Sequence, residues 1–135
     1  MYSIDVMSEE SLKQLRNYES SNLIPNFNLG NCITNSYHLA AFVKNATKKY
    51  LVEGIALSEN GKIFPHMWNR FVINRESKEY DVTHDLLMKG IPSFSYFKIC
   101  ENNVENYKNE IKISPLTTDI ANLYWGLYPQ SKPEK

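Results

Sequence analysis

Three short segments carry residue types that together suit nucleophilic chemistry. Cys32 lies in GNCITNSYHLAAFV, His66 in PHMWNRFVI and Asp81 in EYDVTHDL. A thiol reacts as the thiolate, so a cysteine nucleophile needs a base, and that base needs a group that orients it. The three side chains offer these roles on a helix and two successive strands. They predict nucleophilic catalysis in which Cys32 is the attacking group.

Cys32 is predicted to lie at the first position of a helix over residues 32–47. At that position the unpaired backbone N–H groups and the helix dipole favour a thiolate, which predicts a partly exposed thiol with a lowered pKa. Its own backbone N–H would help to hold an oxyanion. The alternative is a small buried hydrophobe, the commoner role of a lone cysteine.

Several asparagines are candidates for the same site. Asn35 would follow Cys32 by one helical turn and either line the site or face solvent. Asn69 either orients a neighbour or ends a hydrogen-bond pattern. The oxyanion and site-lining candidates are Asn31, Asn35 and Asn69, with Asn26 and Asn28 as further upstream amide donors. His38 and His84 are expected at the surface, and Cys100 and Trp68 in the core.

The elements that must position these residues follow from periodicity and turn signals. The hydrophobic pattern predicts a short amphipathic helix over 8–20, and the apolar residues of the 32–47 helix cover most of its circumference, which predicts a central, buried helix. Asn60-Gly61 is a strong hairpin signal between two β-rich runs. Strands are predicted over 50–58, 63–73, 79–83 and 93–100, and a last helix, capped by Thr117 or Thr118, over 117–127. This order predicts an α+β fold in which a buried helix packs on an antiparallel β-meander.

Length and composition limit the classes of protein to which this chain can belong. With 135 residues, 42% hydrophobic and 22% charged, the chain fits one domain over 1–128 followed by a frayed tail over 129–135. Fifteen basic residues balance fifteen acidic ones, which argues against nucleic-acid binding. The first ten residues do not resemble a signal peptide, and no apolar run approaches a membrane span. We expect a cytoplasmic protein with free thiols and no membrane partner.

These residues also carry a family resemblance. Cysteine at a helix start, then His-x-Trp on a strand, then Asp-x-Thr after the next strand, resembles the core of the transglutaminase-like branch of the papain-like superfamily. The matching pieces are Cys32, HMW at 66–68 and DVT at 81–83, and the similarity covers about residues 30–85. It implies a papain-like fold, a nucleophile at Cys32, a general base at His66 and an orienting carboxylate at Asp81.

The sequence offers two carboxylates as the orienting group. A turn centred on residues 75–77 would pair His66 with a position near residue 86, which favours Asp85. Asp81 would then lie about 16 Å along the strand from His66. An earlier turn or a bulge would close that gap. Because the resemblance implies Asp81, we expect Asp81 to orient His66.

Three functions are compatible with the sequence. The first is a cysteine-dependent amide hydrolase or acyltransferase, of peptidase, amidase, deamidase or transglutaminase type, which takes a protein or peptide amide and needs no cofactor. The second is a metal site from Cys32, His66 and either Asp81 or His84, although no paired zinc-ligand spacing is present. The third is an inactive papain-like module that binds a protein partner, such as a factor of a mobile element or phage. Substrate, pathway and oligomeric state are not indicated.

Overall fold

The computed structural model describes residues 29–43, 46–82, 94–107 and 114–133. Within them lie two α-helices, four strands and two short 3₁₀ turns, so the predicted α+β class is confirmed. In chain order the elements are α1 (Leu29–Phe42), β1 (Lys48–Ser58), β2 (Ile63–Ile73), β3 (Glu76–Tyr80), β4 (Phe94–Asn103), a 3₁₀ turn (Val104–Asn106), α2 (Pro115–Leu127) and a 3₁₀ turn (Pro129–Ser131). The helix predicted over 8–20 falls outside the described residues.

The four described strands form one antiparallel sheet in the order β3-β2-β1-β4. β1 and β2 join through the predicted hairpin, in which Gly61 takes a φ of 83°. The 63–73 strand has the predicted bounds. Strand β1 starts two residues earlier than predicted, and β4 runs on to Asn103.

The turn between β2 and β3 differs most from the prediction. The sequence NRESK predicts a turn of five residues, whereas the chain reverses at Asn74 and Arg75, with φ values of 51° and 68°. Two central residues with positive φ define the tight type I′ hairpin turn. Sequence reasoning missed it because the second position, normally glycine, is here arginine. As a result β3 begins at Glu76 and ends at Tyr80, before the predicted strand over 79–83 is complete.

Helix α1 packs mainly against β2, with Leu39 and Ala40 of the helix contacting Phe71 and Val82 in one buried cluster. The prediction of a buried helix holds for the face that carries Leu39 and Ala40, whereas Tyr37 is 45% exposed. The helix ends at Phe42, before the predicted residue 47, and Lys49 Nζ donates to the carbonyl of Ala40 at 2.6 Å. A cation at this end satisfies a carbonyl that the last turn leaves unpaired.

Helix α2 is fixed to the sheet by a buried carboxylate on β1. Glu53, 2% exposed, accepts hydrogen bonds from the backbone N–H of Ser114, at 3.0 Å to each oxygen, and from the hydroxyl of Thr117 at 3.4 Å. The Cys100 thiol donates to the same carboxylate at 2.7 Å. The helix cap is Ser114 and not the predicted Thr117 or Thr118. An anion beside a helix N-terminus is favourably placed.

The C-terminal segment is more ordered than predicted. Pro129–Ser131 form a 3₁₀ turn with Ser131 buried, whereas the sequence predicts a frayed tail from residue 129. The hydroxyl of Ser131 donates to the carbonyl of Tyr128 at 2.6 Å, and Lys62 Nζ donates to the carbonyl of Gln130 at 2.6 Å. Neither α-helix in the described ranges has the length and apolar character to cross a bilayer.

Candidate active site

The three residues singled out from the sequence lie together. His66 Nδ1 is 2.9 Å from Cys32 Sγ, and His66 Nε2 is 2.7 Å from Asp81 Oδ2. The imidazole therefore bridges the thiol and the carboxylate, one through each ring nitrogen. This is the geometry that a nucleophile, a base and an orienting group require.

Cys32 lies deeper in its helix than the sequence predicts. Because α1 begins at Leu29, Cys32 is the fourth helical residue, and the unpaired N–H groups belong mainly to the residues before it. The predicted use of its own N–H as an oxyanion donor thus loses its physical basis. The side chain is fully buried, so the prediction of a partly exposed thiol is wrong. Both cysteines are free thiols, as expected.

His66 reaches the thiol from the middle of β2. Strand β3 pairs with β2 only from Asn69 to Ile73, so the half of β2 that holds His66 extends beyond that pairing and meets α1. Ser36, one turn after Cys32, donates its hydroxyl to the carbonyl of Met67 at 3.0 Å. This bond ties the helix to the strand next to the imidazole.

The register of β3 brings Asp81 to His66. Asn69 pairs with Tyr80, so continuing the ladder by one step places Asp81 opposite Trp68, two positions from His66. The early turn at Asn74 and Arg75 therefore closes the gap that a turn centred on 75–77 would leave. Asp85, the alternative carboxylate, lies outside the described residues.

The charges around His66 favour its protonated form. Burial lowers the pKa of His66, but the negative charge of Asp81, then that of Cys32, and the hydrogen bonds to both raise it from 6.5 to about 10. An imidazolium between two acidic groups is stabilised because opposite charges lie within hydrogen-bond distance in a site without solvent. By contrast, burial and the Glu53 carboxylate raise the pKa of Cys100 to about 11, which disfavours its thiolate.

The predicted asparagines have different positions. Asn35 is fully buried, so the surface alternative for it is wrong. Asn69 is also buried, and its Nδ2 donates to the carbonyl of Ser36 at 2.9 Å. This bond connects β2 to α1, so Asn69 does not simply end a hydrogen-bond pattern. Its Oδ1 has no partner within the described part of the chain. Asn31 lies in α1, and Asn26, Asn28 and His84 lie outside the described residues.

Two residues that the sequence does not mark, Tyr96 and Glu79, are linked to the site, the first directly and the second through Trp68. Tyr96 donates its hydroxyl to Asp81 Oδ2 at 2.6 Å. Glu79 accepts from Trp68 Nε1 at 2.9 Å, and the Trp68 ring stacks on His66 with centroids 5.9 Å apart. Trp68 is fully buried, as predicted. No local motif marks Tyr96, since its link to Asp81 arises only when β4 joins the sheet.

The geometry also bears on the metal alternative. Cys32 and Asp81 bind opposite sides of the His66 ring, so the three side chains do not converge on a common point as tetrahedral ligands do. In the described ranges, no group of three or more His, Cys, Asp and Glu side chains is arranged to hold a metal ion.

No protein-family model, no curated protein and no solved structure matches this chain.

Proposed function

We propose that the protein is a cysteine-dependent amide hydrolase or acyltransferase with Cys32 as nucleophile, His66 as proton carrier and Asp81 as orienting carboxylate. The observation that carries this proposal is the continuous chain of hydrogen bonds through the buried imidazole, at 2.9 Å to the sulfur and 2.7 Å to the carboxylate. A structural cysteine or histidine needs only one satisfied partner, whereas here both ring nitrogens are used in the order that catalysis requires.

In the first step, the thiol proton passes to His66 Nδ1 and the sulfur attacks the amide carbonyl carbon. The tetrahedral intermediate collapses as the C–N bond breaks, and His66 returns the proton to the departing nitrogen. A thioester at Cys32 and free ammonia or an amine remain. Asp81 keeps the imidazole in position and stabilises its charged form without itself taking the proton.

In the second step, water or an amine attacks the thioester carbon. His66 accepts the proton of the attacking group, the C–S bond breaks, and the thiol is restored. Water gives hydrolysis or deamidation, and an amine gives transfer or cross-linking. We further propose a papain-like, transglutaminase-like core, supported by α1 preceding a three-stranded meander and by the order of Cys32, His66 and Asp81 along the chain.

Alkylation by iodoacetamide, a small electrophile that carries an amide, tests the proposal. The rate at Cys32 is measured by peptide mass spectrometry from about pH 5 to about pH 9, a range that spans the pKa of an ordinary thiol. The shape of the pH profile is diagnostic rather than the absolute rate, because burial slows the reaction at every pH. Cys100 serves as the internal reference.

We expect alkylation of Cys32 to persist at and below neutral pH, while alkylation of Cys100 appears only in alkali. His66→Gln, which retains a polar side chain of similar reach, should return Cys32 to the profile of an ordinary thiol. A wild-type Cys32 rate that climbs tenfold per pH unit through neutrality would overturn the proposal.

A second candidate function is an inactive module that binds a protein partner. The complete burial of Cys32, His66 and Asp81 favours it, because a reacting sulfur must meet its substrate. Exposed large apolar side chains on α2 and β4 also favour it, since exposed apolar surface marks interaction sites. These are Leu116, Leu123, Tyr124 and Leu127 on α2, with Phe97 on β4 and Tyr128. The same alkylation profile separates the two functions.

A further inference from the structure

Asp81 Oδ2 accepts a hydrogen bond from a second side chain besides the imidazole. This bond is donated by the hydroxyl of Tyr96 at 2.6 Å, while His66 Nε2 lies at 2.7 Å from the same atom. Tyr96 is 3% exposed, so this phenol–carboxylate bond is shielded from water. In such surroundings a hydrogen bond to a charged oxygen is short and strong.

The sheet is built so that Tyr96 reaches this atom. Tyr96 on β4 is separated from β2 by β1, whose residues at this level are Gly54, opposite His66, and Ala56, opposite Tyr96. These small residues leave room for the phenol ring above the central strand. The ring packs 5.1 Å from Trp68 and 6.3 Å from His66, measured between centroids.

We propose that Tyr96 is a positioning residue that holds the Asp81 carboxylate in its charged, imidazole-facing orientation. This inference rests on the proposed function, because it assigns Tyr96 a role through Asp81 and His66. A donor from a different strand restricts the rotation of the carboxylate about its terminal torsion. A buried carboxylate that loses a donor is also less stable as an anion, so it supports the imidazolium less.

Tyr96→Phe tests the proposal, because it removes only the hydroxyl and retains the ring that packs on Trp68. Tyr107→Phe is the matched control, since it also removes a phenol hydroxyl, one that accepts from Asn102 Nδ2 at 3.4 Å. The readout is the pH profile of iodoacetamide alkylation at Cys32. We expect Tyr96→Phe to slow alkylation at neutral pH about tenfold. We also expect it to move the acid limb of the profile, in which the rate falls as pH decreases, to higher pH. Tyr107→Phe should match the wild type.

Replacement of Tyr96 by 3,5-difluorotyrosine keeps the shape and makes the phenol a stronger donor. We expect it to move the acid limb in the opposite direction, to lower pH, and it keeps the proposal testable if Tyr96→Phe fails to fold. Identical profiles for the wild type, Tyr96→Phe and the fluorinated protein would overturn the role of Tyr96. That result leaves the proposed function standing, which fails only if wild-type Cys32 itself behaves as an ordinary thiol.

Discussion

At the scale of single residues, the chemistry of the site depends on one imidazole that uses both nitrogens. A neutral histidine has one donor and one acceptor nitrogen, so its tautomer must match its two partners. Asp81 settles this choice by accepting from Nε2, which leaves Nδ1 to exchange a proton with Cys32. The side chain at position 81 must therefore accept a hydrogen bond from Nε2, and a side chain that can also donate one is not equivalent.

Replacing Asp81 by Asn tests this assignment. The amide can donate to the imidazole and favour the wrong tautomer, and it carries no charge to hold the imidazolium. We expect Asp81→Asn to slow alkylation of Cys32 at neutral pH by about tenfold or more and to give it the pH profile of an ordinary thiol. The second-order rate constant of iodoacetamide alkylation at Cys32 is measured from about pH 5 to about pH 9, as for the wild type. Asp85→Asn should stay within a few-fold of wild type, and the reverse pattern would assign the orienting role to Asp85.

At the scale of secondary-structure elements, a two-residue turn determines whether the site forms. With the turn at Asn74 and Arg75, Asp81 arrives two positions from His66. A longer turn would carry it about 16 Å away. The turn requires positive φ at both residues, a conformation that costs a non-glycine residue roughly 1–2 kcal/mol. The structure keeps this strained turn because the ladder from Asn69 to Ile73 fixes it from both sides.

Relief of the strain at Arg75 is measurable. Arg75→Gly supplies the residue that type I′ turns prefer at this position, and we expect it to raise the free energy of unfolding by about 1 kcal/mol. Arg75→Val, a β-branched residue poorly suited to positive φ, should lower it by about 1–2 kcal/mol. Urea denaturation of both variants gives these values. Equal stabilities would mean that the positive φ at Arg75 carries no strain.

A second constraint at this scale is the close approach of β4 to Gly54. The pairing of β1 with β4 shifts between Glu53 and Gly54, which leaves Ile99 as an extra residue on β4. A Cβ atom at Gly54 would lie 1.9 Å from the carbonyl oxygen of Phe97 and 3.0 Å from the Trp68 ring. Backbone atoms cannot yield as a flexible side chain does, so only glycine fits.

Gly54→Ala is therefore expected to destabilise the protein by roughly 3 kcal/mol or more, at the upper end of the cost of overpacking. Because Gly54 lies opposite His66, the forced movement of β4 should also disturb the site. Thermal unfolding measures the first effect and Cys32 alkylation the second. Gly126→Ala is the control, since a Cβ atom there meets nothing within 4 Å, and it should be neutral or slightly stabilising. A loss no larger for Gly54→Ala than for Gly126→Ala would contradict the clash.

At the scale of the whole molecule, burial of a charged triad couples the protonation of the site to folding. The pKa of His66 is raised to about 10 in the folded protein, from 6.5 when unfolded. A group with a raised folded pKa contributes stability that is complete below its unfolded pKa and is lost as pH rises through the folded pKa. In the wild type, the thiol of Cys32 can supply this proton internally, which reduces the exchange with solvent.

Cys32→Ser removes that internal source, so His66 must take its proton from solvent on folding. We expect the free energy of unfolding of Cys32→Ser to fall as pH rises from 6.5 to 9, because Asp81, the larger of the two charges that raise the pKa, remains. Denaturation with urea at several pH values measures the slope. Above pH 9 the raised pKa of Cys100 causes a further loss of stability as pH rises. The slope that reports on His66 is therefore measured below pH 9.

The double variant Cys32→Ser with Asp81→Asn is the control for this slope. This variant lacks both acidic groups whose charges raise the pKa of the imidazole, and burial lowers that pKa. The decline in stability between pH 6.5 and 9 should then disappear. Stability of Cys32→Ser that is constant or rises across this window would show that His66 is neutral in the folded protein.

The parts of the fold with local signals could be predicted from the amino-acid sequence. Asn60-Gly61 set the first hairpin, the apolar run of residues 63–73 set β2 to the residue, and the α+β class followed from the order of periodic segments. The candidate residues Cys32, His66 and Asp81 were identifiable because few residue types can act as nucleophile, base and orienting acid. Their relevance did not depend on knowing any distance.

How those residues meet depends on packing between elements that are distant in the sequence. The choice of Asp81 depended on a turn whose second residue, Arg75, adopts a conformation that its type disfavours, and only the assembled ladder overcomes that cost. The contact of Tyr96 with Asp81 requires two small residues on an intervening strand, a relation that no local pattern encodes. The burial of Cys32 arises in the same way, because exposure is a property of packing between elements and not of a residue's place in its own helix.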